Sequence, residues 1–202
     1  MDNIFSSLNE AFNLMSNWEI LAASLSIIYL LMAIKQNIWC WAAAFISTLI
    51  YTILFFDASL LMSSFLNAYY LLMAIYGFYS WKFANNKKNK ELEISSYGLK
   101  KNLIIISSLA IISFFVGFYM QNYTDAVNAY LDSTITVFAL FATFMMTRKI
   151  LENWLYWIVI DTSAVYLYIN QEFYVTALLM VIYTVLAAIA YFEWKRELKS
   201  ES

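Results

Sequence analysis

The chain of 202 residues has no histidine and no proline, one cysteine and three glycines, and only 13% of it is charged. Without histidine, a Ser-His-Asp triad, an imidazole proton relay and a histidine metal site are impossible. Cys40 stands alone, so no internal disulfide or thiolate cluster forms, and with no base beside it the thiol reads as an ordinary buried group. Gly77, Gly98 and Gly117 make no phosphate-binding loop. The absence of proline argues against the kinked, broken spans with which many transporters hold ions. So few charges do not cover a soluble surface, where about a quarter of residues are charged. Twelve basic against 14 acidic residues, a net charge of -2, leave no footprint for nucleic acid. Neither a metal-ligand set nor a cofactor motif remains, and no catalytic constellation is expected.

What is abundant is apolar and aromatic: 63% and 19% of the residues, with a mean hydropathy of +0.65. This is the composition of an all-α polytopic membrane protein, with about 140 residues in spans of roughly 20. Seven apolar segments are expected, at 18–34, 38–56, 58–81, 102–120, 131–147, 154–169 and 173–194. The longest polar stretch, 82–101, contains Asn-Asn-Lys-Lys-Asn-Lys and reads as a linker between a bundle at 18–81 and a second bundle at 131–194. All 12 Lys and Arg fall on alternate connections or after the last span. The positive-inside rule therefore places the linker and the tail 195–202 in the cytoplasm and the N-terminus outside. Residues 1–17 place Ile4, Leu8, Ala11, Phe12 and Met15 at helical spacing, the pattern of an amphipathic segment on the outer surface rather than a cleaved signal.

Shifted by 113 residues, spans one to three align with spans five to seven without a gap. Lys35 falls on Arg148, Trp41 on Trp154, Asp57 on Asn170, Tyr70 on Tyr183, Ala74 on Ala187 and Trp81 on Trp194. Both repeats start outside and end inside, and the span at 102–120 permits it. This 3+1+3 order is that of transporters built from parallel repeats, with the solute near midplane between them.

The sixth span carries Trp154, Trp157, Asp161 and Tyr168 within about 60° of one another on a helical wheel. Asp161 lies roughly 10 Å beyond Trp154, inside the hydrocarbon region, where a carboxylate needs a cavity or a partner. Two readings stand for the tryptophans, an interfacial aromatic belt or a stacking surface, and two for Asp161, an interhelical hydrogen bond or a solute contact. A second stripe joins Ser63, Asn67, Tyr70 and Ala74 toward Trp81, and a third joins Asp132, Thr136, Ala139 and Thr143. Small and hydroxyl residues so spaced also serve simple helix packing. Asp57, Asp125 and Asp132 fall near the outer surface, where a hydrated carboxylate costs little. Together the stripes suit a flat, polar, cationic organic solute: the ring stacks on Trp, the charge meets the acid, and hydroxyls find Asn, Thr and Asp.

These residues resemble the nicotinamide riboside transporter (PnuC) family. The resemblance is carried by Glu-Asn-Trp-Leu-Tyr-Trp-Ile-Val-Ile-Asp at 152–161, with its Trp-x-x-Trp, and by Tyr-Leu-Asp-Ser at 130–133. Phe-Phe-Asp-Ala at 55–58, Leu-Asn-Ala-Tyr-Tyr at 66–70 and Gln-Asn-x-Trp-Cys-Trp at 36–41 add to it, so that it covers about residues 20 to 196. It implies a SWEET-like fold of two three-helix bundles and uptake of a vitamin B3 precursor across the bacterial inner membrane by facilitated diffusion. A cytoplasmic nucleoside kinase would trap the cargo, and the chain would act among membrane lipids, as a homo-oligomer such as a trimer. In the family Trp-x-x-Trp lines the substrate site, which carries onto Trp154 and Trp157. Asn67, Tyr70, Asp132, Thr136 and Asp161 are added here from face and depth. Another vitamin such as thiamine, or a proton symporter titrating Asp161, are the alternatives. An intramembrane enzyme would need the histidine, metal-ligand set or aspartate-rich pair that the sequence lacks.

Overall fold

The computed structural model describes residues 15–57, 61–83, 92–124, 128–170 and 173–200. The N-terminal amphipathic pattern up to residue 14, Asp125 and the Asn/Lys run of the linker lie outside the described residues. Seven helices are described: α1 Asn17–Ile34, α2 Cys40–Asp57, α3 Leu61–Phe83, α4 Gly98–Tyr123, α5 Ala129–Thr147, α6 Asn153–Asn170 and α7 Tyr174–Ser200. Each of the seven expected spans overlaps one of them, with α3, α4 and α7 running past the expected ends. Five, α1, α2, α4, α5 and α7, are long and apolar enough to cross a membrane. On α6 the polar residues Asn153, Asp161, Thr162 and Ser163 interrupt the apolar run.

Local signals set the helix ends. Ser16 and Glu19 form a capping box at the start of α1, with Glu19 N donating to Ser16 Oγ at 3.2 Å and Ser16 N to the Glu19 carboxylate at 2.6 Å. At the far end, Gln36 N donates to Ala33 O and Asn37 N to Met32 O, both at 3.0 Å. The end of α5 repeats this: Lys149 N donates to Met146 O and Ile150 N to Met145 O, both at 3.1 Å. These are two Schellman caps, and the left-handed residue that glycine usually supplies is Gln36 (φ 52°) in one and Lys149 (φ 50°) in the other. Serine and threonine hydroxyls that face outward on α4 and α6 close on their own helix, as Ser107 does on Leu103 O and Thr162 on Ile158 O. Helix α7 runs past its apolar stretch to Ser200, helped by the Glu193–Arg196 ion pair one turn apart and by Lys195 over the Tyr191 ring.

Neighbour contacts close six helices into a ring in the order α1, α2, α3, α5, α6, α7, with α4 outside it against α5. Helices α2 and α6 stand opposite one another, and among the described residues none of their Cα atoms come within 8 Å. The wheels agree with this placement. On α2, Ile46, Leu49, Ile53 and Phe56 are exposed toward the outside. Ser47 Oγ reaches Ala22 O of α1 at 2.8 Å on one flank, and Thr52 O accepts from Ser64 Oγ of α3 at 2.8 Å on the other. That leaves Ala44, Thr48, Tyr51 and Phe55, all half-buried, facing the ring's interior. On α6, Leu155, Val159 and Tyr166 are exposed outward, so Trp157, Asp161, Ala164 and Tyr168 face inward.

The part of the linker that is described is docked. Ile94 is buried in the core, and Ser95 pairs with the turn after α5: Ser95 N donates to Lys149 O at 3.0 Å and Ser95 O accepts from Leu151 N at 2.8 Å. Glu152 takes the N–H groups of Tyr97 and Gly98 at 3.1 and 3.2 Å, a carboxylate on the positive end of α4. Gly98, with φ +71°, makes the turn that brings these donors to it.

Candidate functional site

The interior stripes of the six ring helices converge on one lumen. From α6 come Trp157, half-buried, and Asp161, 4% exposed. Asp161 interacts electrostatically with the phenols of Tyr70 on α3 and Tyr183 on α7. Among the described residues no group donates a hydrogen bond to its carboxylate. A buried charge without a donor is costly unless something brings an opposite charge to it. Tyr70 and Tyr183 occupy equivalent repeat positions and flank the acid from either side, while Tyr29 of α1 interacts with both. Tyr183 is also hydrogen-bonded to Ser26 of α1, and Tyr69, beside Tyr70, donates to Leu140 O of α5 at 2.9 Å, tying the two repeats together.

The other sequence-derived candidates separate into two levels. Asp132, in the first turn of α5, is half-buried and interacts with Tyr168 near the C-terminal end of α6. Thr136 follows one turn deeper and is half-buried, as is Asn67 one turn from Tyr70 on α3. Trp154 is not on the lumen face: it is 1% exposed and packs edge-on against Trp194 of α7, ring centroids 5.3 Å apart at 90°. Its repeat counterpart does the same, Trp41 against Trp81 at 5.3 Å and 84°. Trp81 and Trp194 meet across the repeats at 6.1 Å.

These four indoles seal the end of the ring opposite Asp132. Trp81 Nε1 donates to Met146 O of the other repeat at 3.3 Å, and Trp194 Nε1 to Ala33 O and Ile34 O at 3.2 Å. Met146 and Ala33 are themselves repeat equivalents, so each tryptophan caps the last turn of the opposite repeat's first helix, where carbonyls lack an intrahelical partner. Above the seal Lys149, 4% exposed, donates to Gln36 Oε1 at 2.8 Å and lies 4.7 Å over the Trp81 ring. The strained left-handed conformation at Gln36 and Lys149 is thus spent on aiming both side chains at the axis between the repeats.

Sequence reasoning did not single out Tyr29, Tyr51, Tyr183, Ala44 or Thr48 as lining residues. The signal that could have found most of them is the repeat itself: shifting the Trp157–Asp161–Ala164–Tyr168 stripe back by 113 residues gives Ala44, Thr48, Tyr51 and Phe55, and shifting Tyr70 forward gives Tyr183, while Tyr29 falls on Ala142 and carries no such signal. The arrangement can bind a flat cation, with an aromatic face, a buried carboxylate and phenols at one level. Among the described residues no cluster could hold a metal ion.

The family model described as nicotinamide mononucleotide transporter matches residues 16–196. Relatives include the nicotinamide riboside transporter PnuC of Escherichia coli (strain K12) and that of Shigella flexneri, each 25% identical, with 70% of this chain and 70% of the relative covered. The crystal structure of the vitamin B3 transporter PnuC superposes with a TM-score of 0.76 over 98% of this chain and 91% of that one, at 18% identity, a likeness of fold.

Proposed function

The chain belongs to the nicotinamide mononucleotide transporter family, that of the PnuC proteins, and on that premise we propose that its cargo is nicotinamide riboside, the unphosphorylated cation, taken up by facilitated diffusion. It is a multi-pass membrane transporter and not an enzyme. The observation that carries the choice of cargo is Asp161: a buried carboxylate with no hydrogen-bond donor among the described residues, one turn from Trp157 on the lumen face. A pyridinium ring supplies both the flat face that an indole stacks on and the positive charge that the acid lacks. The lumen stripes bear Asp132 and Asp161 and, among the described residues, no lysine or arginine. A phosphate group needs such cations, so the nucleoside suits this lumen better than the nucleotide that the family's description names.

In this reading Trp157 carries the ring, with Trp154 behind it as part of the seal, while Asp161 and Tyr70 hold the charge. Asn67 and Thr136 serve the ribose, and Asp132 draws the cation in at the outer end. Cargo crosses by alternating access: the repeats rock about the lumen, and the indole seal with its Lys149–Gln36 bond opens toward the cytoplasm. The orientation that the positive-inside pattern supports, N-terminus outside and C-terminus inside, puts that seal on the cytoplasmic face of a bacterial inner membrane. Phosphorylation by a cytoplasmic kinase would then turn the cargo into an anion that this lumen does not accept.

The test is uptake by the purified protein in liposomes. Labelled nicotinamide riboside should enter saturably and exchange with internal unlabelled cargo in the presence of a proton uncoupler, and the mononucleotide should not compete. Loss of exchange with the uncoupler would instead make the protein a symporter titrating Asp161. Selective uptake of thiamine, or of the mononucleotide, would overturn the proposed cargo.

A further inference from the structure

The two repeats align in sequence without a gap at an offset of 113, and α2 stands opposite α6 in the ring, so each residue of the Trp157 wall has a repeat counterpart on α2. Trp157 faces the position of Ala44, Asp161 that of Thr48, Ala164 that of Tyr51, and Tyr168 that of Phe55. Bulk is reversed at the first and third pairs. Where α6 presents an indole, α2 presents a methyl group, and where α6 presents a methyl group, α2 presents a phenol. Thr48 Oγ1 donates to Ala44 O at 2.8 Å, so its proton is committed to its own helix and its lone pairs are left to accept. Tyr51 stacks on Phe55, 5.6 Å between centroids, and interacts electrostatically with Tyr183. All four α2 residues keep partial exposure although they point away from the lipid face of Ile46, Leu49 and Ile53. Exposure on an inward face means open space in front of it.

We infer that Ala44, Thr48 and Tyr51 form the second wall of the solute site, with Ala44 setting the thickness of the slot opposite Trp157 and Thr48 accepting a hydroxyl from the nucleoside. A perfectly symmetric lumen would present the same group at both ends of a cargo whose ends differ. The reversed order of bulk makes the slot oblique, and a flat ring with a sugar at one end enters it in one sense. The cargo named here rests on the reading proposed above; the lining role of α2 does not.

The experiment separates the two. In a Cys40→Ser background, Ala44→Cys and Thr48→Cys are compared with the lipid-facing Ile46→Cys and Leu49→Cys, using a charged thiosulfonate reagent on protein in nanodiscs. Positions 44 and 48 should react at least tenfold faster than 46 and 49, and nicotinamide riboside should slow them. Equal rates at all four positions overturn the wall, and so does riboside that binds the parent protein by calorimetry yet protects neither cysteine. If 44 and 48 react but the parent binds no riboside, the wall stands on the labelling and the cargo falls. For the roles, Ala44→Trp should lower riboside affinity at least tenfold and Ile46→Trp should not. Thr48→Val should cost the riboside about tenfold and leave N-methylnicotinamide, which has no ribose, unchanged. An equal loss for both compounds removes the hydroxyl contact.

Discussion

At the scale of single residues, the proposed binding rests on two side chains of α6 that sit one turn apart. Trp157→Ala removes the stacking face, worth about 1–3 kcal/mol by analogy with base–aromatic stacking. Affinity for nicotinamide riboside, read by calorimetry, should fall tenfold or more. Asp161→Asn keeps the shape of the side chain and removes its charge, so it should weaken the cationic riboside more than its uncharged dihydropyridine form. Equal loss for the two forms would take charge out of the account. The sequence placed Trp154 and Trp157 on one stripe because 60° of a wheel is all that separates them. In the proposed site Trp157 rather than Trp154 meets the cargo, because α7 brings Trp194 against Trp154 and leaves it fully buried, whereas Trp157 keeps partial exposure on the inward face. Helical spacing alone carries no information about that neighbour.

At the scale of helices, close packing fixes small residues where an indole needs room. A Cβ on Gly77 of α3 would overlap the Trp41 ring of α2. Gly77→Ala should therefore destabilise the protein by about 1–3 kcal/mol, the usual cost of overpacking, seen as a lower thermal midpoint in detergent. Gly98→Ala, at φ +71° with open space around its Cα, strains the backbone without any clash. The entry to α4 depends on Glu152, a residue more than fifty positions away in the chain. Glu152→Ala should speed amide exchange at Tyr97 and Gly98 about fivefold or more, since a helix cap is worth about 1 kcal/mol, while amides in the middle of α4 stay protected. Unchanged exchange at those two amides would show that the cap does not hold the linker. The helices themselves were legible from apolar length and from the spacing of charged loops. The docking of the linker was not, because Ser95 and Glu152 look like ordinary polar residues until the turn after α5 is brought beside them.

For the whole molecule, the pseudo-twofold relation between repeats turns one sequence motif into a closure. Trp81 and Trp194 each bond a carbonyl of the opposite repeat, and a hydrogen bond of this kind contributes about 1 kcal/mol. Cys40, fully buried among these indoles, is a native reporter of the seal. Trp81→Phe or Trp194→Phe should raise its alkylation rate about fivefold, and the double substitution more. A rate that stays at the parent value in the double variant would show that these bonds do not hold the seal shut.

The sequence by itself determined the membrane class, the number of helices and the repeat, because burial in lipid demands long apolar runs and a duplicated bundle leaves a constant offset between aromatic and charged positions. It also marked Asp161, since a carboxylate deep in an apolar run is conspicuous whatever surrounds it. Only the tertiary structure decided which faces look inward, that Trp154 seals while Trp157 stays open, and that α2 stands across from α6. Those facts depend on the order in which six helices close into a ring, and the free energy that sets that order lies in contacts between residues far apart in the chain, which no local pattern encodes.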